Sequence, residues 1–118
     1  MKFLGIDLGS SSIKLSVFDA EKGTEVVAVT VPENEMEIQA PKFGWAEQDP
    51  ELWWSYVKQG LSGIAQKGIN LKEIQAIGIA YQMHGLVVTD EHLKPIRPSI
   101  IWCDSRAVEA GREAFDKY

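Results

Sequence analysis

The first thirty residues contain three short runs rich in apolar side chains, and in the second of them apolar side chains recur at every other position. A run from Phe3 to Ile6 leads into Asp7, a second run is "IKLSVFD", and a third is "TEVVAVTV". Period-two alternation is typical of strands with one buried face, and the intervening "DAEKG" has the composition of a tight turn. The pattern predicts an antiparallel meander of three strands at the N-terminus.

The segment from Pro32 to Pro50 loses this periodicity and is rich in Glu, Gln and Pro. It predicts a long loop of the kind expected to cover a site. A helix is predicted to begin at Pro50 and to end at Gly68. Its apolar face comprises Leu52, Trp53, Tyr56, Val57, Leu61 and Ile64. Gly60 and Gly63 would let that face approach a neighbour closely.

After the helix, "IQAIGIAY" is a nearly uninterrupted apolar run, which predicts a strand buried on both faces. The runs "LVVTD" and "PIRPSIIW" flank the polar turn "DEHLK" and predict a second hairpin. The order of elements predicts a mixed α/β sheet in which the helix crosses over to a parallel strand. Helical spacing then returns and reaches the C-terminus without a C-cap signal, so we expect the front part of a longer protein.

Composition narrows the class of protein. The 118 residues are 45% hydrophobic and 25% charged, the balance expected of one folded domain. The net charge is −5 and no basic run is present, so nucleic-acid binding is not expected. No apolar stretch reaches the roughly 18 to 20 residues of a membrane span. Because Cys103 is the single cysteine and no signal peptide is evident, we expect a cytoplasmic protein without membrane contact.

The stretch "GIDLGSSSIK" carries the most specific candidate chemistry. A turn of glycine and serine between two strands can direct several N–H groups toward one anion, and Lys14 would add a cation. Asp7 fits such a site if Mg²⁺ lies between its carboxylate and a phosphate. An ordinary turn, with Asp7 hydrogen-bonded to its own backbone, explains the same residues equally well.

Four separated motifs resemble one family and occur in the order of that family. The opening "GIDLGSSSIKLSVFD" looks like the first phosphate motif of the actin/hexokinase/Hsp70 ATPase superfamily. The stretches "GWAEQDPELWW", "GIAYQMHGLVVTD" and "PIRPSIIWCDSRA" resemble the FGGY carbohydrate kinases, most closely the xylulokinases. The resemblance implies an α/β fold, a truncated ribonuclease H-like N-terminal domain with a mixed sheet over residues 1–118.

For the full-length protein, the resemblance implies ATP-dependent phosphorylation of a sugar hydroxyl, with ATP and Mg²⁺ as cofactors. The implied reaction converts D-xylulose to D-xylulose 5-phosphate. A kinase of ribulose, gluconate, fuculose or glycerol is an alternative enzyme, and a non-catalytic actin-like nucleotide switch is an alternative of another class. We expect the catalytic base and the adenosine pocket outside this chain, which would leave it inactive alone. A homodimer is compatible with this interpretation.

The resemblance also implies which residues bind each substrate. Asp7 would hold the Mg²⁺ of MgATP. The phosphate turn would comprise Gly9, Ser10, Ser11, Ser12 and Lys14. The sugar site would comprise Gln82, Met83, His84, Trp45 and Asp104.

Several of these residues have structural alternatives. His84 taken alone would be a solvated or structural histidine. Asp104 suits the N-cap of the last helix as well as it suits a sugar ligand. Trp45 is placed near the sugar because its polar loop has little other reason to carry an aromatic residue. Trp102 is expected in the core or at its rim.

Overall fold

The structure is a computed structural model that describes residues 1–117. The strands are β1 (Lys2–Leu8), β2 (Ile13–Asp19), β3 (Thr24–Val31), β4 (Glu47–Gln48), β5 (Ile74–Tyr81) and β6 (Ser99–Ile100). The helices are α1 (Pro50–Gln66) and α2 (Val108–Lys117), with a short 3₁₀ helix at Leu71–Glu73. None of the helices within residues 1–117 has the length and apolar content needed to cross a bilayer.

The chain divides into two compact units, although its length led us to expect one. The first unit comprises Met1–Glu37 and Glu51–Gln82. The second comprises Ile38–Pro50 and the described residues from Met83 onward. Each unit has its own backbone pairing.

The first unit contains a four-stranded mixed sheet in the order β3–β2–β1–β5. β1 pairs antiparallel with β2, and β2 with β3, which confirms the predicted meander. β5 follows α1 and pairs in parallel with β1, which confirms the predicted crossover. The observed order is therefore the mixed α/β arrangement predicted from the sequence.

Alternate residues of the sheet pack into one apolar core with α1. Its buried members are Leu4, Ile6, Ile13, Leu15, Val17, Val31, Met36, Val57 and Ile64. A Cβ on Gly60 would overlap Leu15, and one on Gly63 would lie 3.1 Å from Val29 Cγ1. The two glycines therefore let α1 approach the sheet closely, as predicted. Leu52, predicted on the same apolar face, is exposed.

β5 forms as predicted, but the prediction that both its faces are buried is wrong. Ile77 and Ile79 are each 60% exposed, and Tyr81 is 67% exposed. β5 is an edge strand with β1 as its neighbour in the described sheet. An apolar run indicates that a segment forms a strand, whereas burial of both faces requires a packed layer on each face.

Within the second unit, short β-bridges form where the sequence predicts a full hairpin. β4 pairs antiparallel with β6, and isolated bridges join Leu86 to Ile100 and Thr89 to Pro95. The two apolar runs therefore lie antiparallel around the predicted turn, but only β6 is assigned as a strand. Pro95 and Pro98 have no N–H to donate, which limits the ladder. The predicted C-terminal helix is confirmed as α2.

Candidate functional site

A carboxylate and an ammonium group lie on the outer face of the β1–β2 hairpin. Asp7 pairs with Lys14 in the antiparallel register, and both residues are exposed. Their neighbours Ile6 and Leu15 are buried. Because side chains alternate across a strand, burying the apolar set directs Asp7 and Lys14 to the opposite face.

Two glycines line a concave surface beside this pair. Gly5 on β1 pairs with Gly78 on β5, and a Cβ on Gly78 would meet no atom within 4 Å. The concavity has a volume of about 500 Å³ and is lined by Gly5, Ile6, Asp7, Lys14, Ser16, Gly78, Ile79 and Ala80. This volume falls within the roughly 300 to 1,000 Å³ typical of ligand sites.

The turn between β1 and β2 is closed by its own backbone. The Gly9 N–H donates to the Ser12 carbonyl at 3.1 Å, and the Met36 N–H donates to the Ser11 carbonyl at 2.7 Å. A Cβ on Gly9 would lie 2.9 Å from the Ser12 oxygen, so position 9 cannot carry a side chain without a shift. Since the Gly9 N–H donates to the Ser12 carbonyl, a backbone hydrogen bond closes the turn in place of an Asx bond to Asp7.

The residues present on this face fit Mg²⁺ bound together with phosphate. Among residues 1–117, no three His, Cys, Asp or Glu side chains come together to form a metal cage. Asp7 supplies one exposed carboxylate, and the concavity leaves room for phosphate oxygens and water. Magnesium takes this ligand set in nucleotide sites. Asp7 would hold the ion, and Lys14 would offset phosphate charge.

The predicted sugar residues Gln82, Met83 and His84 follow β5. The Gln82 N–H donates to the Leu8 carbonyl at 2.9 Å, whereas Met83 and His84 are exposed. His84 has a φ of 62°, in the left-handed region that few residues other than glycine occupy. Gln82 belongs to the first unit, and Met83 and His84 belong to the second. The boundary between the two units therefore falls within the motif.

Asp104 lies in an ion-pair cluster of the second unit, and its side chain is 2% exposed. Its Oδ1 accepts from the N–H and Nε of Arg106 at 2.8 and 2.9 Å. Its Oδ2 accepts from Arg106 Nη2 at 2.7 Å and from the Ala46 N–H at 2.6 Å. Arg106 also donates to Glu47 at 2.8 Å, and Arg97 pairs with the same carboxylate. The cluster thus joins the long loop to the segment before α2.

This geometry favours a structural role for Asp104, although not as the predicted cap. A carboxylate has about four acceptor positions, and four donors already occupy those of Asp104. α2 begins at Val108, whose N–H donates to the Ser105 carbonyl. The N-cap alternative is therefore wrong, because Asp104 lies too far before the helix to cap it.

The tryptophans of the second unit also differ from expectation. Trp45 stacks against Arg106, whose Cζ lies 3.7 Å from the ring centre, and Lys42 Nζ lies 4.7 Å from the same centre. These cation–π contacts give the loop a structural reason to carry an aromatic residue. Trp102, predicted in the core or at its rim, is 58% exposed and therefore does not lie in the core. Its position directly before the polar "CDSR" segment is the signal that could have indicated this.

We predict that Asp104 governs part of the acid stability of the chain. Hydrogen bonds from Arg106 hold the pKa of the Asp104 carboxyl far below its ordinary value. A depressed folded-state pKa contributes stability that is complete above the unfolded pKa of about 3.9 and is lost as pH falls toward the folded value. Asp104→Asn should therefore lower the melting temperature by several degrees at pH 7 and flatten its fall below about pH 4.

The matched control for this prediction is Asp116→Asn, which alters an exposed carboxylate on α2. Thermal unfolding followed by circular dichroism between about pH 7 and pH 2 gives both curves. The control should follow the wild type throughout. If the melting temperatures of Asp104→Asn and the wild type fell equally steeply below about pH 4, the Asp104–Arg106 pair would not set the pH dependence.

Comparison with known proteins finds consistent similarity along most of the chain. The profile described as the FGGY family of carbohydrate kinases, N-terminal domain, matches residues 2–114. A xylulose kinase from Escherichia coli (strain K12) is 35% identical over 107 residues, covering 91% of this chain and 21% of that protein. A glycerol kinase from Rhizobium meliloti (strain 1021) is 39% identical over 105 residues, covering 87% of this chain and 20% of that protein.

The solved structures give the same result for the fold. The crystal structure of a xyloylose kinase from Brucella ovis matches with a TM-score of 0.89 and 30% sequence identity. The match covers 99% of this chain and 24% of that one. The chain therefore spans about a fifth to a quarter of the length of the relatives that it matches.

Proposed function

The chain belongs to the FGGY family of carbohydrate kinases, and from this we propose that the full-length protein transfers the γ-phosphate of ATP to a sugar hydroxyl. Its fold is the mixed α/β sheet of the actin/hexokinase-like kinases. The observation that carries the proposal is the outer face of the hairpin, where Asp7 and Lys14 border a concavity lined by glycine.

The chemistry proposed for this face is positioning and charge compensation. Phosphoryl transfer requires little covalent chemistry from the protein, so catalysis depends on holding the phosphates and offsetting their charge. Bound Mg²⁺ would neutralise phosphate oxygens, and Asp7 would hold that ion. Lys14 would supply a second positive charge, and the serines at positions 10–12 would donate hydroxyl hydrogen bonds. Gly9 would let the phosphates approach the turn.

For the sugar, we propose direct contacts from Met83 and His84. Both residues are exposed, the imidazole can donate or accept a hydrogen bond to a hydroxyl, and the thioether offers an adaptable apolar wall. Trp45 and Asp104 have partners within the second unit. We therefore propose that these two residues shape the segment that carries the sugar contacts.

D-xylulose is the substrate that we propose, with D-xylulose 5-phosphate as the product. The similarity to xylulose kinases supports this choice, while the similarity to a glycerol kinase supports an alternative acceptor. The test is ADP production by the full-length protein with D-xylulose, D-ribulose, L-fuculose, D-gluconate and glycerol. D-xylulose should give the highest kcat/KM. A higher value for another acceptor would reassign the substrate, and ATP hydrolysis independent of any acceptor would favour the actin-like switch.

We predict that residues 1–118 alone do not phosphorylate sugar. In this proposal the chain forms the N-terminal part of the kinase, and the catalytic base and adenosine pocket are supplied by other residues of the full-length protein. Purified chain, MgATP and D-xylulose should release no ADP above a buffer control. The matched control is the full-length protein at the same molar concentration. Sugar-dependent turnover by the chain alone would contradict this division of the site.

A further inference from the structure

The Gln82 side chain has an unexplained acceptor. Within residues 1–117, its amide Oε1 is the one buried side-chain oxygen or nitrogen without a hydrogen-bond partner. Buried polar groups in folded proteins are nearly always hydrogen-bonded, and an unsatisfied one destabilises the fold. A buried acceptor in this state needs an explanation, and a donor that arrives with a ligand is one.

The backbone places Gln82 beside the phosphate turn. Its N–H donates to the Leu8 carbonyl, and Leu8 directly precedes Gly9. The parallel register pairs Asp7 with Ala80. Gly9 and Gln82 directly follow Leu8 and Tyr81, the last residues of β1 and β5. Continuing the strand alternation by one residue would place the Gln82 side chain on the face of the Asp7–Ala80 pair. Since Gly9 has no side chain, the residue that follows β1 offers Gln82 no side-chain donor.

The neighbouring side chains on this face do not provide the missing donor. Gly78 and Ala80 carry no polar group, and ionised Asp7 can only accept hydrogen bonds. Lys14 is on β2, which lies beyond β1 in the strand order. Gln82 Oε1 accepts no hydrogen bond from any residue in the range 1–117, so Lys14 does not supply the donor either.

We propose that Gln82 Oε1 accepts a hydrogen bond from a water molecule bound to the Mg²⁺ of MgATP. Magnesium usually keeps several waters when it binds carboxylate and phosphate, and such waters are O–H donors. The inference rests on the proposed metal–nucleotide site at Asp7. It assigns Gln82 to the nucleotide site as a positioning residue, although the motif suggested the sugar site. Gln82 also belongs to the same unit as Asp7.

The test is Gln82→Met in the full-length protein, with Gln75→Met as the matched control. Methionine has a similar length but lacks the amide acceptor, and Gln75 is an exposed residue of the same strand. Isothermal titration calorimetry would measure the affinity for a non-hydrolysable ATP analogue with Mg²⁺ and with EDTA, and the affinity for D-xylulose. For Gln82→Met we expect an affinity loss of about tenfold with Mg²⁺, the size of one lost hydrogen bond, and none with EDTA.

Two further measurements separate this role from a structural one. The melting temperature of Gln82→Met without ligand should equal or exceed that of the wild type, because a buried unsatisfied oxygen has been removed. Gln82→Glu keeps an acceptor oxygen and should keep Mg²⁺-dependent affinity. Gln75→Met should match the wild type in every titration.

Three results would overturn the inference. Equal losses with Mg²⁺ and EDTA would show a direct nucleotide or folding effect, and a loss for D-xylulose alone would return Gln82 to the sugar site. Unchanged affinities would show that the full-length protein supplies its own donor. The wild type tests the proposed function separately: a wild type without sugar-dependent turnover would refute the kinase, while its Mg²⁺-dependent binding could still support the role of Gln82.

Discussion

Replacing Asp7 by asparagine is expected to abolish sugar-dependent ADP production by the full-length protein while leaving its fold intact. Asparagine keeps the size of the side chain and one oxygen but loses the charge that would hold Mg²⁺. Asp7 is exposed on the outer face of β1, so the substitution removes no core contact. Because positioned charge supplies much of phosphoryl-transfer catalysis, kcat/KM should fall by about 10³-fold or more.

The measurement is a coupled ADP assay over a range of Mg²⁺ concentrations. Asp116→Asn is the matched control, since it removes an exposed carboxylate from α2. Its turnover should equal that of the wild type, and both variants should keep the wild-type melting temperature. Unchanged turnover by Asp7→Asn would remove the metal-binding role from this motif.

Replacing His84 by alanine should raise the KM for sugar by about 10- to 100-fold and change the KM for MgATP little. The expected loss corresponds to a hydrogen bond to a sugar hydroxyl in a desolvated site, where an unpaired polar group is costly. The φ of 62° orients this exposed side chain from a backbone conformation that is uncommon for residues other than glycine. Initial rates at varied sugar with saturating MgATP, and the reverse, would separate the two constants.

Two variants control for the imidazole and for the backbone. His92→Ala removes the other histidine, which is exposed in the turn at residues 90–94, and it should leave both constants unchanged. His84→Asn keeps hydrogen-bonding groups and tolerates positive φ, so its sugar KM should lie between those of the wild type and His84→Ala. Equal sugar KM values for His84→Ala and His92→Ala would exclude His84 from the sugar site.

The part of the fold that could be predicted from sequence depends on local pattern. Strands β1, β2 and β3 come from three apolar-rich runs joined by short turns, and β2 alternates with period two, so their antiparallel pairing follows from neighbouring residues. The helical crossover to β5 follows from the order of the elements. The exposure of β5 could not be predicted in this way, because burial depends on the layers that cover a strand rather than on its own residues.

The candidate site shows the same division between local and distant contacts. Asp7 and Lys14 can be predicted as members of one candidate site because one short hairpin carries both residues. The cluster around Asp104 depends on the Ala46 N–H, which lies 58 positions away along the chain. A single sequence without aligned relatives offers no signal for a contact at that separation, so the sequence favours a helix cap and a sugar ligand equally for Asp104.

Inward-facing and outward-facing side chains alternate along β1 and β2. An insertion or deletion in this hairpin therefore affects the protein differently from a point substitution. Ile6 and Leu15 face the core while Asp7 and Lys14 face outward, and a shift of pairing by one residue would exchange the two sets. A substitution at Asp7 can therefore alter the ligand face and spare the core. A one-residue insertion or deletion inside either strand would instead bury the charges and expose the apolar side chains together. In divergent relatives, this hairpin should accumulate replacements while its length stays fixed, and length variation should fall in loops.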